Sequence, residues 1–269
     1  MGDFWHTLRV EWLKLKYYRT FWILLAIIVV CIPAFNYVVY DITDNSFPKM
    51  NGKSLLGTPF SYPYVWSTVP YLAGILMFMP AILIITLFTN EYSFRTHRQN
   101  IIDGWSRARF IHIKLIEIFI LTLIVTLIVI LTCLYFGFLT RKGDHPETGW
   151  EQLRYILYFF VEMLDYSLIA VLMAMLIRRA GLAMGIFFLY MIIEQFVVSI
   201  GRNKYKVTWV DYLPEEVSDR LIPQPFARKI LTDNSGYWEK HVSLYLTITI
   251  IYILVFIFLI SWRFRKSDL

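Results

Sequence analysis

The chain has 269 residues, of which 58% are hydrophobic and only 17% charged, with a mean hydropathy of +0.55 and a formal net charge of +6. Soluble domains hold about 45–50% apolar and about 25% charged residues, so a soluble globule would leave an insoluble surface, and disorder is excluded on the same numbers. The composition is that of an all-α, polytopic membrane protein.

A helix needs about 20 mostly apolar residues to cross about 30 Å of hydrocarbon. Ahead of the first such stretch, residues 3–19 place Phe4, Leu8, Trp12 and Leu15 at helical spacing, with Arg9, Lys16 and Arg19 largely off that stripe. This pattern predicts an amphipathic helix lying in the membrane interface. It serves either as an anchor for the first span or as a lever that receives force from a partner. The first span is expected at 20–40. Its length, its bulky residues and the lack of a small-x-small site after it mark it as a retained helix rather than a cleaved signal.

The second span is expected at 67–89, with Pro70 and Pro80 able to kink it and Pro59 and Pro63 making the lead-in irregular. The third covers 110–139, longer than one crossing, so its first turns with His112, Lys114 and Glu117 stand in the interface. The fourth, fifth and sixth are expected at 155–177, 182–200 and 242–262. Residues 90–108 form a loop on one side of the membrane and 201–241 a long loop on the other. Within the latter, Pro214–Ile222 reads as a short helix with acids near its start. Cys31 and Cys133 both fall inside apolar runs and form no disulfide framework.

Six spans put both ends of the chain on one side. That side carries 14 of the 26 basic residues, and the other carries 12, seven of them in the single long loop 201–241. Counted over short loops, the excess predicts that both termini are cytoplasmic and that 201–241 lies outside.

Two groups of residues carry candidate chemistry. The first is acidic and buried in the spans. Glu162 and Asp165 are three apart on span four and share a helical face, and Glu194 on span five lies at a similar depth to Glu162. A central acid costs about 2.5–3.5 kcal/mol and each Leu, Ile, Phe or Val returns about 0.3–0.6. The twelve such residues of span four offset its two acids narrowly, so that face must meet protein or water rather than lipid. It is either a translocation path for a cation, proton or amine, or a set of protonated acids held within the bundle. Nearby, Ala170 and Ala174 on span four and Gly181 and Gly185 on span five permit close helix approach, inside the chain or between subunits.

The second group is the loop between spans two and three. Glu91 stands at the membrane exit, Arg95, Thr96 and Arg98 follow one turn later, a helix-length run holds Ile101, Ile102 and Trp105, Gly104 acts as a stop, and Ser106-Arg107 lead into the next span. The series Glu91-Tyr92, Thr96, Arg98, Gly104, Ser106-Arg107 resembles the first cytoplasmic loop of the ABC-2 type permeases, the membrane subunits of one large group of ABC exporters. The six-span layout, the amphipathic N-terminus and the outer loop before the last span extend the resemblance over the chain. Asp103 and Trp105 are not diagnostic of it, and the outer loop is long.

The resemblance implies a dimer of membrane subunits resting on two cytoplasmic ATPase subunits, with residues 90–108 forming a cytoplasmic coupling helix. ATP and Mg would bind the partner ATPase, and this chain would hold no cofactor. Partners would be that ATPase, a second or homologous permease copy, and membrane lipid, with no nucleic acid. The residues implied to contact the ATPase are Glu91, Arg95, Thr96, Arg98, Ile102, Gly104, Ser106 and Arg107.

No motor motif is present in the chain itself. Gly52-Lys53-Ser54 mimics the end of a phosphate loop, but Phe47 stands where that loop requires Gly. No HExxH, CxxC or Gly-x-Ser-x-Gly pattern occurs, which leaves metal, redox and hydrolase chemistry without support. The alternative function is an ion-coupled transporter or channel using Glu162, Asp165 and Glu194.

Overall fold

The computed structural model describes residues 2–43, 49–50, 53–54, 58–94, 106–140, 152–226 and 235–266. The helices are α1 (Gly2–Tyr17), α2 (Arg19–Asp41), α3 (Val65–Gly74), α4 (Phe78–Ser93), α5 (Arg107–Leu139), α6 (Arg154–Ile177), α7 (Ala180–Ile200), α8 (Pro214–Asp219) and α9 (Ser235–Lys266). Between α2 and α3, Lys49–Met50 pairs antiparallel with Lys53–Ser54. The molecule is an all-α polytopic membrane protein. Among the described residues, five helices are long and apolar enough to span a membrane, or six if the bent pair α3 plus α4 is counted as one span.

That bent pair departs from a single helix over 67–89. At about 1.5 Å per residue, neither the ten residues of α3 nor the 16 of α4 reaches across the hydrocarbon alone. The axes differ by 49° across residues 75–77. Pro80 supplies the reason, because it has no N–H for the carbonyl of Leu76 and its ring crowds that oxygen. The Leu76 carbonyl instead accepts from the Met79 N–H at 3.0 Å, within a tight turn that also joins Met77 N–H to the Gly74 carbonyl at 3.0 Å. Pro70 lies inside α3, which continues through it.

Helix α2 buries one narrow stripe, Phe21, Ile28, Ile32 and Asn36, and leaves Ile23, Ile27 and Val30 exposed on faces suited to lipid. The Asn36 amide donates to the Ile32 carbonyl at 2.9 Å. Helix α6 is the axle of the bundle, packed against α3, α4, α5, α7, α8 and α9. Its Phe159, Met163, Ala170, Val171 and Ala174 are all buried. It ends at Arg178, whose left-handed backbone (φ 57°) turns the chain into α7. The small residues divide differently from an Ala–Gly contact inside the hairpin. Ala170 and Ala174 are in the core, whereas nothing lies within 4 Å of where a Cβ would stand on Gly181 or Gly185. Those two glycines face outward, toward lipid or another chain.

Helix α1 lies beside the start of α5, as does the end of α9, whose Phe264 stacks on Phe110 with ring centres 4.9 Å apart. Both terminal helices therefore reach the same end of the bundle. On α1, Trp12 and Leu13 are exposed and Glu11 is buried, so Trp12 faces outward, its ring edge-on to Trp22. The reason is the ion pair that Glu11 makes inside.

Candidate functional site

At the end that carries α1, the sequence-predicted loop is bracketed by well-formed helix ends. Helix α4 holds Glu91 in its last turn and stops at Ser93. Ser106 is extended (φ −68°, ψ 147°) and its hydroxyl accepts from the Arg109 N–H at 3.2 Å, the N-cap that starts α5. Arg107 is the first residue of α5. Arg95, Thr96, Arg98, Ile102 and Gly104 lie outside the described residues.

What joins the two helix ends is Lys114. Its ammonium meets Glu11 Oε2 at 2.9 Å, Glu117 Oε2 at 2.8 Å and Glu91 Oε1. Lys14 adds a second contact to Glu11 at 2.6 Å. One lysine thus ties α1, α4 and α5 together where the loop leaves the membrane. For Glu11, burial raises the carboxyl pKa, but Lys114 and Lys14 outweigh it and hold the group below the ordinary carboxylate range. Its contribution to stability is present above that range and is lost as pH falls through it. Glu91, implied by the resemblance to contact the ATPase, is paired here with Lys114 on the next span. Beside this node a small cleft lies between α4, α5, α6 and α9, walled by Phe88, Tyr92, Phe110, Met175 and Ile260.

The sequence hid this node for a simple reason. Lys114 and Glu117 read as interfacial residues of an overlong span, and nothing in the sequence singles out Glu11. The available signal was that Lys114 and Glu117 stand three apart in an otherwise apolar helix, which favours pairing there.

The acids collect at the opposite end. Glu162, Asp165 and Glu194 are all buried, at 3%, 0% and 4% exposure. Helix α8 packs against α6, α7 and α9 and carries Glu215, Glu216 and Asp219 into the same region. At this point the long loop packs into the bundle, where Val217, Leu221 and Ile222 are buried.

Each acid has a different environment. Glu194 Oε1 accepts from the backbone N–H of Glu215 at 2.7 Å and of Glu216 at 2.9 Å. These are orphan donors of the first turn of α8, whose own N-cap residue, Leu213, offers no capping side chain. Pro214 fits the first helical position because it needs no acceptor. Glu194 is thus a helix cap supplied from α7, and its charge suits the positive end of the α8 dipole.

Asp219 accepts from the Tyr166 hydroxyl at 2.8 Å. Glu216 and Asp211 are held by Arg220 and Arg202, with Arg220 Nε to Glu216 at 2.7 Å and Arg220 Nη2 to Asp211 at 2.7 Å. Both oxygens of Asp165, both of Glu215 and one of Glu162 have no hydrogen-bond partner. Ser218 lies beside Asp165, but its hydroxyl is directed to the carbonyls of Pro214 and Glu215. Gly74 makes room for Glu162, since a Cβ there would stand 2.7 Å from Glu162 Oε1.

Glu162, Asp165 and Glu194 lie in one region of the bundle, with Asp165 within electrostatic reach of both others. Glu215, Asp219 and Tyr166 complete the group and were missed, because nothing in the periodicity of α6 shows that a later loop folds back onto it.

A bundle of apolar helices around α6, with buried ionic groups at both ends, defines a multi-pass helical membrane protein. The model of the ABC-2 family transporter proteins matches residues 7–201. The chain belongs to that family and is an ABC-type permease, a transport subunit rather than the ATPase itself. The match runs from α1 through α7 and includes the 90–108 loop. No curated protein matches the chain.

Proposed function

We propose that this chain is the permease subunit of an ATP-driven exporter. Two permease copies, identical or homologous, form the substrate path, and separate ATPase subunits binding ATP and Mg sit on the end that carries the termini, in the cytoplasm. Residues 90–108 enter the ATPase as the coupling helix. Arg95, Arg98 and Arg107 supply charge at its ends, Thr96 and Ser106 polar contacts, Ile102 the apolar contact, and Gly104 the stop.

The observation that carries this reading is the Lys114 node at the root of that loop. A push on a loop moves spans only if its ends are stiffly attached. Glu91 on the outgoing helix and Lys114 on the returning one are bound to each other and, through Glu11, to α1. A displacement of residues 90–108 is thus passed to three helices at once. The ion-coupled reading built on Glu162, Asp165 and Glu194 has less support, because Glu194 is engaged by the α8 backbone.

Co-expression with a phosphate-loop ATPase encoded beside the chain tests the proposal. The expected result is a co-purifying complex that hydrolyses ATP, while the chain alone does not. Hydrolysis by the isolated chain, or failure of any such ATPase to bind it, would contradict the assignment.

A further inference from the structure

Three carboxylates at the α8 end are buried, at exposures of 0% for Asp165, 1% for Glu215 and 3% for Glu162. Both oxygens of Asp165 and Glu215 and Oε2 of Glu162 have no hydrogen-bond partner among the described residues. They come from two elements that meet there, Glu162 and Asp165 from α6 and Glu215 from α8. The cations at hand are already engaged. Arg202 and Arg220 are bound to Asp211 and Glu216, and Arg220 also donates to the Tyr245 hydroxyl at 3.1 Å.

The remaining groups facing the cluster are neutral or acidic. Helix α6 adds Tyr166, bound to Asp219, and α7 adds Tyr190 beside the capping Glu194. Helix α3 adds Tyr71, within electrostatic reach of Glu162 and Asp219, and α9 adds Tyr252, within reach of Asp165 and Glu194. Among the described residues, no group of three acid, His or Cys side chains is placed to hold a metal ion. Three ionised carboxylates without counter-charge would oppose burial of a six-residue helix anchored by Val217, Leu221 and Ile222.

We propose that α8 is a proton-locked plug: protons on Asp165, Glu215, Glu162 and Asp219 permit it to seat against α6, α7 and α9, and losing them releases it and opens that end of the bundle. The site's ligand is the proton, and its product is a conformational change in the loop rather than transport.

The direction follows from linkage. Burial, with Glu194, Asp219 and Asp165 adding to it, pushes Glu215 up to about 9. Burial pushes Asp219 up to about 7 despite the Tyr166 hydrogen bond. When α8 leaves the bundle, these acids return to ordinary carboxylate values and lose protons to water. The seated state therefore binds more protons, and seating weakens as pH rises from the ordinary carboxylate range toward those two values. Each proton released changes the seating equilibrium by up to about tenfold per pH unit.

A cysteine at Val217, buried in the seated plug, reports release. The full-length purified chain carrying Val217→Cys is labelled with a hydrophilic maleimide, and its rate is divided by that of Lys204→Cys, an exposed position on the same loop, to cancel thiolate chemistry. The unsubstituted chain gives the background of Cys31 and Cys133. The ratio is expected to rise at least about tenfold between about pH 5.5 and about pH 8.5. Adding Asp165→Asn, Glu162→Gln, Glu215→Gln and Asp219→Asn, which keep shape without the titration, should hold it near its low-pH value throughout. A flat ratio in the parent, or the same rise in the amide variant, would overturn the plug.

Discussion

Lys114→Met is expected to be the most destabilising single change at the loop end of this protein, lowering stability by about 3–5 kcal/mol. Exposed ion pairs contribute only about 0–1 kcal/mol. The figure for buried pairs applies because the side chains of Lys114, Glu11, Glu91 and Glu117 are 8%, 5%, 11% and 9% exposed. Methionine fills a similar volume, so what it removes is charge, leaving Glu11, Glu91 and Glu117 facing one another without a cation. Thermal unfolding of the detergent-solubilised protein, followed by loss of the monodisperse species, measures the effect. Adding Glu91→Gln and Glu117→Gln to Lys114→Met should recover much of the loss, since neutral amides do not repel. An unchanged melting temperature for Lys114→Met alone would mean that the node is solvated and transmits nothing.

Arg98→Glu is expected to leave the folded subunit intact and to break its association with the ATPase. Arg98 belongs to the resemblance to the ABC-2 loop and lies outside the described residues, so this expectation rests on sequence. Like charges juxtaposed across an interface cost several kcal/mol. Since about 1.4 kcal/mol is tenfold in affinity, the loss should exceed about tenfold. Binding of the purified ATPase to the variant measures it, with Arg98→Lys as the milder control that keeps charge but not the planar fork. Full affinity and full ATP-driven transport by Arg98→Glu would remove Arg98 from the interface.

The spans were legible because each carries its own signal. Apolar stretches of sufficient length announce membrane-crossing helices whatever they pack against, and Pro80 announces the break before α4. The two ionic clusters were legible only in part, and the pattern of what was missed is physical. Glu162 and Asp165 declare themselves by cost, as acids in a span must be buried against something. Their neighbours do not, because Glu215 and Asp219 look like acids of a solvated loop until α8 folds onto α6. Glu11 and Lys114 are 103 residues apart, and periodicity within either helix carries no information about the other. Gly181 and Gly185 show the converse failure. Small residues mark a face that tolerates close approach, but the sequence does not say by whom, and among the described residues nothing lies within 4 Å of a Cβ placed on them.

The central claim is that residues 90–108 are where the ATPase presses on the permease, and a photocrosslink tests it most directly. A photoreactive residue replacing Thr96, in the chain co-expressed with its ATPase, should capture the ATPase subunit, with a yield that changes when ATP is supplied. The same residue replacing Lys204, on the loop at the opposite end, should capture none. Crosslinking to the ATPase from position 204 and not from 96 would contradict both the coupling role of the loop and the orientation of the bundle.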